Sequence, residues 1–242
     1  MRVALISDIH ANLTALSEVL EDVRRQNICS AILCGDLIDY GPRPNEVVSK
    51  VRESSLHLYA NIWGNHEASL FQKDLSKFSS DRGRKSLMYT KSILSSGTLE
   101  YIRHDMECSG RVELEINGKT MLVVHGSIDN PMWGKISVSE IDDVQYSAYD
   151  YIISGHTHIP HYIENYYPAE LPALRNKKKT VFINPGSVGQ PRNQCSLSQY
   201  GILDVETGCY EQRRILYDIS LEQSFFSKET DPFYRDRLRT GI

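Results

Sequence analysis

The sequence has no apolar run of the ~18 residues that a membrane-spanning helix requires, no CxxC pair, no internal repeat and no surplus of positive charge. Its first apolar stretch, from Val3 to Ser7, is cut short by Asp8 and His10, where a signal peptide would continue. A strand is therefore expected there, in a cytoplasmic protein. The five cysteines, Cys29, Cys34, Cys108, Cys195 and Cys209, are odd in number and scattered. That argues against a disulfide framework or a zinc knuckle and suits a reducing compartment. Charge nearly cancels, with 27 basic against 31 acidic residues for a formal net of -4. Such a balance argues against a surface built to hold nucleic acid or anionic lipid. The basic run Lys177–Lys179 is too short to reverse that reading; with the segment from Pro168 to Pro172 it is expected to form an exposed excursion. No composition shift marks a boundary. A single domain is expected over residues 1–242, with a helix-like tail at about 218–242 that carries Arg235, Arg237 and Arg239.

What is present is an alternation of short apolar runs and helical patterns. Val3 to Ser7 reads as a strand buried on both faces. Leu13, Leu16, Val19, Leu20 and Val23 then share one helical face, with Asn12 in the N-cap position. Ala31 to Leu33 is a second strand, and Pro44 to Arg52 a helix with proline in its first turn. Leu56 to Asn61 is a third strand, and residues 68–106 are mostly helical. From Arg111 the period becomes two, and Asn117-Gly118 marks a hairpin returning through Thr120 to Val124. Tyr151 to Ser154 and Val181 to Ile183 are further buried strands, with a short one at Tyr162 and Ile163. Tyr200 to Val205 and Tyr210 to Leu216 form a second hairpin turning at Thr207-Gly208. The pattern predicts two sheets face to face with helices outside, and a site at the carboxyl ends of the strands.

Those carboxyl ends carry the chemistry. Leu33-Cys34-Gly35-Asp36 leaves an acid at the mouth of a buried strand, and four other segments end in the same manner. They are Asp8-Ile9-His10, Gly64-Asn65-His66-Glu67, Val124-His125-Gly126 and Gly155-His156-Thr157-His158. Five of the eight histidines fall inside these motifs, whereas His57, His104 and His161 lie elsewhere. A lone histidine is usually a polar loop residue or a satisfied core imidazole; five at matching positions beside Asp8, Asp36 and Asn65 point to metal ligation. Carboxylate and imidazole without thiolate suit Mn, Fe, Co, Ni or Zn rather than calcium. In an extended segment Asp8 and His10 share one side. His156 and His158 have the same spacing across a turn, which allows each to serve a different ion.

In this order, Asp-x-His, Gly-Asp, Gly-Asn-His, a lone His after a strand and Gly-His-Thr-His resemble the calcineurin-like metallophosphoesterases. Asp8-Ile9-His10-Ala11-Asn12, Gly35-Asp36 with Tyr40-Gly41-Pro42, His125-Gly126-Ser127 and the run from Asn184 to Arg192 are similar to the small bacterial and archaeal phosphodiesterase branch. The resemblance covers residues 3–217. It implies a four-layer αββα sandwich of two mixed sheets, α/β in class, holding two divalent metal ions, with manganese leading and Fe, Ni, Co or Zn as alternatives. It further implies that Asp8, His10 and His158 hold one ion, that Asn65, His125 and His156 hold the other, and that Asp36 bridges them. His66 would bind no metal and would donate to the scissile phosphate or its leaving oxygen. Glu67 departs from the family, where Asp is commoner after Gly-Asn-His, and is expected to affect the orientation of His66 or its loop.

The activity implied is hydrolysis of phosphodiester or phosphomonoester bonds in small phosphorylated molecules, by in-line attack of a hydroxide shared between the ions. Dinucleoside polyphosphates and phosphoproteins are the alternative substrates, and a catalytically inactive protein-binding scaffold is the alternative of another class. The integrity of every motif argues against the scaffold. No added DNA-binding segment argues for nucleic acid, and a homo-oligomer is compatible with the sequence. Asn12 is either a helix cap or a phosphate contact. Asp39 and Tyr40 are expected to shape the pocket or orient ligands. The turn from Asn184 to Ser187, together with Arg192, either presents donors to substrate or is a tight turn with a surface arginine. Trp133 either walls the pocket or anchors the core.

Overall fold

The fold is described from a computed structural model covering residues 1–71, 75–78, 80–139, 141–168 and 178–242. One sheet contains β1 (Arg2–Ile6), β2 (Ser30–Leu33), β3 (His57–Asn61), β9 (Ser198–Asp204) and β10 (Tyr210–Ile215), in the order β10-β9-β1-β2-β3. The other contains β4 (Arg111–Ile116), β5 (Lys119–Val124), β6 (Tyr151–Ser154), β7 (His161–Tyr166) and β8 (Lys179–Asn184), in the order β4-β5-β6-β8-β7. Both are mixed. β1, β2 and β3 run parallel, as do β5, β6 and β8, while the hairpin partners run antiparallel. Val3, Leu5, Ile32, Met121, Val123, Ile153 and Ile183 interlock between the sheets and seal them from water. The parallel strands of both sheets consequently end at one common edge.

The helices α1 (Leu13–Arg25), α2 (Pro44–Glu53), α3 (Asn65–Phe71), α4 (Asp81–Ile93) and α5 (Ser96–His104) contribute Leu16, Val19, Val47, Leu70, Leu87 and Ile102 to the core of the first sheet. Over the outer face of the second sheet the covering layer is thinner. Ile136, Ile141, Tyr146 and Tyr167 cover Leu122, Val124, Ile152 and Phe182, and the short 3-10 turn Val144–Ala148 lies among them. Asn117 and Gly118 both have positive φ (50° and 71°), the geometry an Asn-Gly hairpin requires. Lys179 begins β8 and pairs with Tyr166, so the excursion expected through Lys179 ends one residue earlier, at the exposed Lys178. Residues 169–177, the rest of that expectation, lie outside the described residues. The tail expected to be helix-like is built of short helical pieces. It forms α6 (Ile219–Ser224), α7 (Pro232–Asp236) and a 3-10 turn, Arg237–Arg239, because Pro232 and the Asp231 cap restart the chain. Among the described residues no helix is long and apolar enough to cross a membrane.

Candidate metal centre

At the common edge the chain leaves its strands in strained turns. Asp8 (φ 52°), His10 (46°), Asp36 (56°), His156 (64°) and His158 (59°) all adopt the left-handed conformation. For side chains with a Cβ this costs ~1–2 kcal/mol each, and it persists only where the surroundings hold it. The surroundings here are backbone hydrogen bonds between the turns: Asp8 N–H to Gly35 O (3.1 Å), His10 N–H to Asp36 O (2.9 Å) and Gly155 N–H to His125 O (3.0 Å). Gly35 and Gly64 allow the loops to touch. A Cβ on Gly35 would lie 2.5 Å from Gly64 N, and one on Gly64 would strike the Asp36 carboxylate.

The strands bring seven expected ligands to one place. Asp8, His10, Asp36 and His158 form one buried group; Asp36, His125 and the half-buried His156 form a second. Asp36 belongs to both. Asn65 Oδ1 joins the second group, 2.9 Å from His156 Nδ1 and 3.1 Å from His125 Nε2. In the first group His158 Nε2 is 3.3 Å from Asp8 Oδ1, and His10 Nε2 is 3.6 Å from Asp36 Oδ2.

The donor chemistry fits a cation. His10 Nδ1 lies 3.1 Å from Ile38 O, and His158 Nδ1 lies 2.5 Å from Gln190 O. A carbonyl only accepts, so each ring carries its proton on Nδ1 and leaves a lone pair on Nε2. Those two bare Nε2 atoms face each other at 3.1 Å, too close for uncompensated lone pairs and well placed to share an ion. Burial, followed by repulsion from neighbouring cationic groups, keeps both rings below the ordinary histidine range, so protonation does not relieve the contact. Burial also lowers His156 to about 3. His125 behaves otherwise: burial works against its charge, yet Asp36 and Asp8 outweigh it and push it up to about 9. Without metal, a proton on His125 Nε2 satisfies Asp36 Oδ2 at 3.2 Å.

His66 stands beside this cluster. Its Nδ1 donates to Asp39 Oδ2 at 2.6 Å, and its Nε2 is 4.0 Å from Asp36 Oδ2. Burial opposes its imidazolium, but Asp36, Asp39 and Glu67 together raise it above the usual range. Asp39 is itself fixed by Ser86 Oγ (2.6 Å) and Thr90 Oγ1 (3.0 Å) from α4. Sequence spacing alone gave no sign that α4 supports this pair. Nor did it reveal the work of Glu67, which is fully buried. That carboxylate accepts from the backbone N–H groups of Asp36 (2.9 Å), Leu37 (2.8 Å), Ile38 (3.3 Å) and Gly64 (2.8 Å), clamping two ligand loops together. Burial and then Asp36 push it up to about 7, while the Gly64 N–H pulls the other way.

The remaining candidates divide. A cavity of about 450 Å³ opens on Asp36, Asn65, His66, His156 and His158, and Trp133, Phe78, Tyr40, Lys77, Lys135 and Arg192 wall it. Trp133 also packs against the core and meets Phe78 edge-to-face at 5.4 Å, so both readings of it apply. Asn12 is absent from this wall. Its Oδ1 caps Ala15 N–H at 3.0 Å, and its amide hydrogens go to Gly189 O (3.1 Å) and Tyr217 Oη (3.3 Å), which leaves no donor for substrate. The turn from Asn184 is a brace: Asn184 Nδ2 donates to Gly155 O at 2.7 Å and Ser187 Oγ to Asp8 O at 2.7 Å. A larger groove of about 910 Å³ along the edge of β3 holds His57 and His104 but none of the cluster.

A buried carboxylate–imidazole cluster that could hold metal ions stands at the edge of two facing sheets. The sequence pattern of the calcineurin-like phosphoesterase superfamily domain matches residues 1–208, and the chain belongs to that family. It is 31% identical over 221 residues to an uncharacterized protein of Methanocaldococcus jannaschii, covering 90% of this chain and 88% of that one. It superposes on the crystal structure of a metallophosphoesterase from Sphaerobacter thermophilus with a TM-score of 0.78 and 29% identity, covering 100% of each chain. A hypothetical protein of Pyrococcus horikoshii OT3 shares the fold with a TM-score of 0.81 at 20% identity, over 100% of this chain and 98% of that one.

Proposed function

We propose that the protein is a dinuclear metal-dependent phosphoesterase acting on small phosphorylated molecules, with manganese the leading metal. The observation that carries this reading is the pair of lone pairs at His10 and His158, 3.1 Å apart in a cluster that shares Asp36 with a second cluster. Asp8, His10, Asp36 and His158 would hold one ion, and Asp36, Asn65, His125 and His156 the other. Bound there, two divalent ions would lower the pKa of water and neutralise charge on phosphoryl oxygens. The chain's own residues do the rest. His66, its Nδ1 bonded to Asp39, would give its Nε2 proton to the leaving oxygen. Tyr40, Phe78 and Trp133 exclude water and wall the organic part of the ester. Arg192, Lys77 and Lys135 draw in an anion although the chain as a whole is acidic.

The test is reconstitution of metal-free protein with Mn, Fe, Ni, Co or Zn, followed by assay on a bis-aryl phosphate, an aryl phosphate and a dinucleoside tetraphosphate. His66→Ala should lower turnover by ~10²–10⁴-fold with metal content unchanged. Full activity in that variant would remove His66 from the chemistry.

A further inference from the structure

The family match ends at residue 208, and α7 lies beyond it. The segment that this short helix opens is tied down at three points. Its cap, Asp231, pairs with Arg82 of α4 at 3.0 Å. Gln190, 1% exposed, donates from Nε2 to Tyr234 O at 3.4 Å, while its own carbonyl accepts from His158 Nδ1. Gln194 N–H donates to Gly241 O at 2.8 Å. Two of these ties run to the loop that braces His158, and the third to the helix that supports Asp39.

What the anchoring delivers is one ring. Tyr234, 3% exposed, stacks on Tyr40 with ring centroids 4.3 Å apart and planes at 16°. Tyr40 lines the cavity and Tyr234 does not, so Tyr234 stands behind that wall. Tyr40 sits in a strained turn: it and Asp39 both have positive φ (61° and 70°), which a bulky side chain adopts only where its surroundings hold it. Its ring meets His66 edge-on at 4.5 Å between centroids and His10 at 4.6 Å. Of these three ring neighbours, His66 and His10 belong to the site itself. Tyr234 is the one supplied from beyond the matched domain.

We propose that Tyr234 is a positioning residue, which fixes the Tyr40 ring as one wall of the substrate pocket and so limits the width of the ester group the site accepts. The inference rests on the phosphoesterase reading. If His66 protonates the leaving oxygen, the group on that oxygen lies beside Tyr40, the ring packed on His66. Phe78 and Trp133 wall the same cavity, and aromatic faces on several sides suit a flat, ring-shaped group. Leucine at position 234 would remove the stacked face and let Tyr40 retreat into the space vacated.

The experiment compares naphthyl with phenyl phosphates, as mono- and diesters, on manganese-loaded enzyme, and reads the ratio of their kcat/KM values. A loss of folded protein lowers both rates alike and cancels from this ratio. Tyr234→Leu should raise the naphthyl-to-phenyl ratio roughly ten-fold, and Tyr234→Phe, which keeps the ring, should hold the wild-type ratio. Tyr40→Leu combined with Tyr234→Leu should match Tyr40→Leu alone, because one residue acts through the other. Should Tyr234→Leu fail to fold, Tyr234→Met gives the same readout. An unchanged ratio in the leucine or methionine variant, an equal rise in Tyr234→Phe, or additive effects in the double variant overturns the assignment. If wild type cleaves none of these esters, the phosphoesterase reading is what has failed. Calorimetry with naphthyl and phenyl phosphonates then reads the wall alone. An affinity ratio that shifts in Tyr234→Leu but not in Tyr234→Phe upholds it, and an equal ratio or no binding overturns it.

Discussion

Asp39 is the residue on which the proposed acid depends. It gives one oxygen to His66 and the other to Ser86, Thr90 and the Tyr40 N–H, so its position is fixed from three sides. In the metal-free chain Asp36 first, and then Asp39, raise the His66 pKa despite burial, and the bond to Asp39 would go on favouring the imidazolium once Asp36 held metal. Turnover that needs this proton should fall as pH rises and the imidazolium deprotonates. Asp39→Asn should shift the alkaline limb of the pH–rate profile to lower pH and reduce kcat roughly ten- to a hundred-fold. An unchanged limb would separate Asp39 from the acid. The individual residues of the site were readable because each stands where an apolar run stops, so Asp8, Asp36 and His125 identify themselves by position. The partners were not. Asp39 and Glu67 act through Thr90, Ser86 and backbone N–H groups far away in sequence, and no spacing rule connects them.

At the scale of elements, the strands and α1 were legible because burial on both faces and helical periodicity leave plain patterns. The left-handed turns were not, since histidine at positive φ is uncommon and carries no sequence mark. Backbone hydrogen bonds hold those turns, and the close approach of Gly35 and Gly64 is what lets the loop of Asp36 meet that of Asn65. Gly64→Ala would set a methyl group against the Asp36 carboxylate, and 2.6 Å from Asp36 N. The variant should lose metal from both positions together, as measured by elemental analysis of the purified protein. Two ions retained at full occupancy would show that the contact is dispensable. The outer cover of the second sheet, and the breaks between the short helices of the tail, escaped the sequence for a related reason. Their short elements are decided by tertiary packing of Tyr146, Tyr167 and Tyr234 rather than by local propensity.

At the scale of the molecule, metal binding and folding should be coupled. An ion at 100 times its Kd adds about 2.7 kcal/mol, or roughly 5–10 °C of Tm for a chain of this size. A chelator should therefore lower Tm by at least that much. The pH dependence of the metal-free protein follows from His125, whose folded pKa of about 9 lies above its ordinary value of 6.5. Its proton stabilises the fold fully below 6.5, and that contribution is lost as pH rises through about 9. A metal ion must displace this proton, so its affinity should increase over the same window, with protons released on binding. Calorimetry in buffers of different ionisation enthalpy measures the release directly, and pH-independent affinity would contradict it.

On the proposed function, one aspartate, Asp36, would join two ions into a single centre. Electron paramagnetic resonance of the protein reconstituted with manganese distinguishes a bridged pair from two separate ions. Two ions per chain and the signal of an exchange-coupled pair are expected, with Asp36→Asn abolishing the coupled signal. One ion per chain, or two that resonate independently, would contradict the shared aspartate.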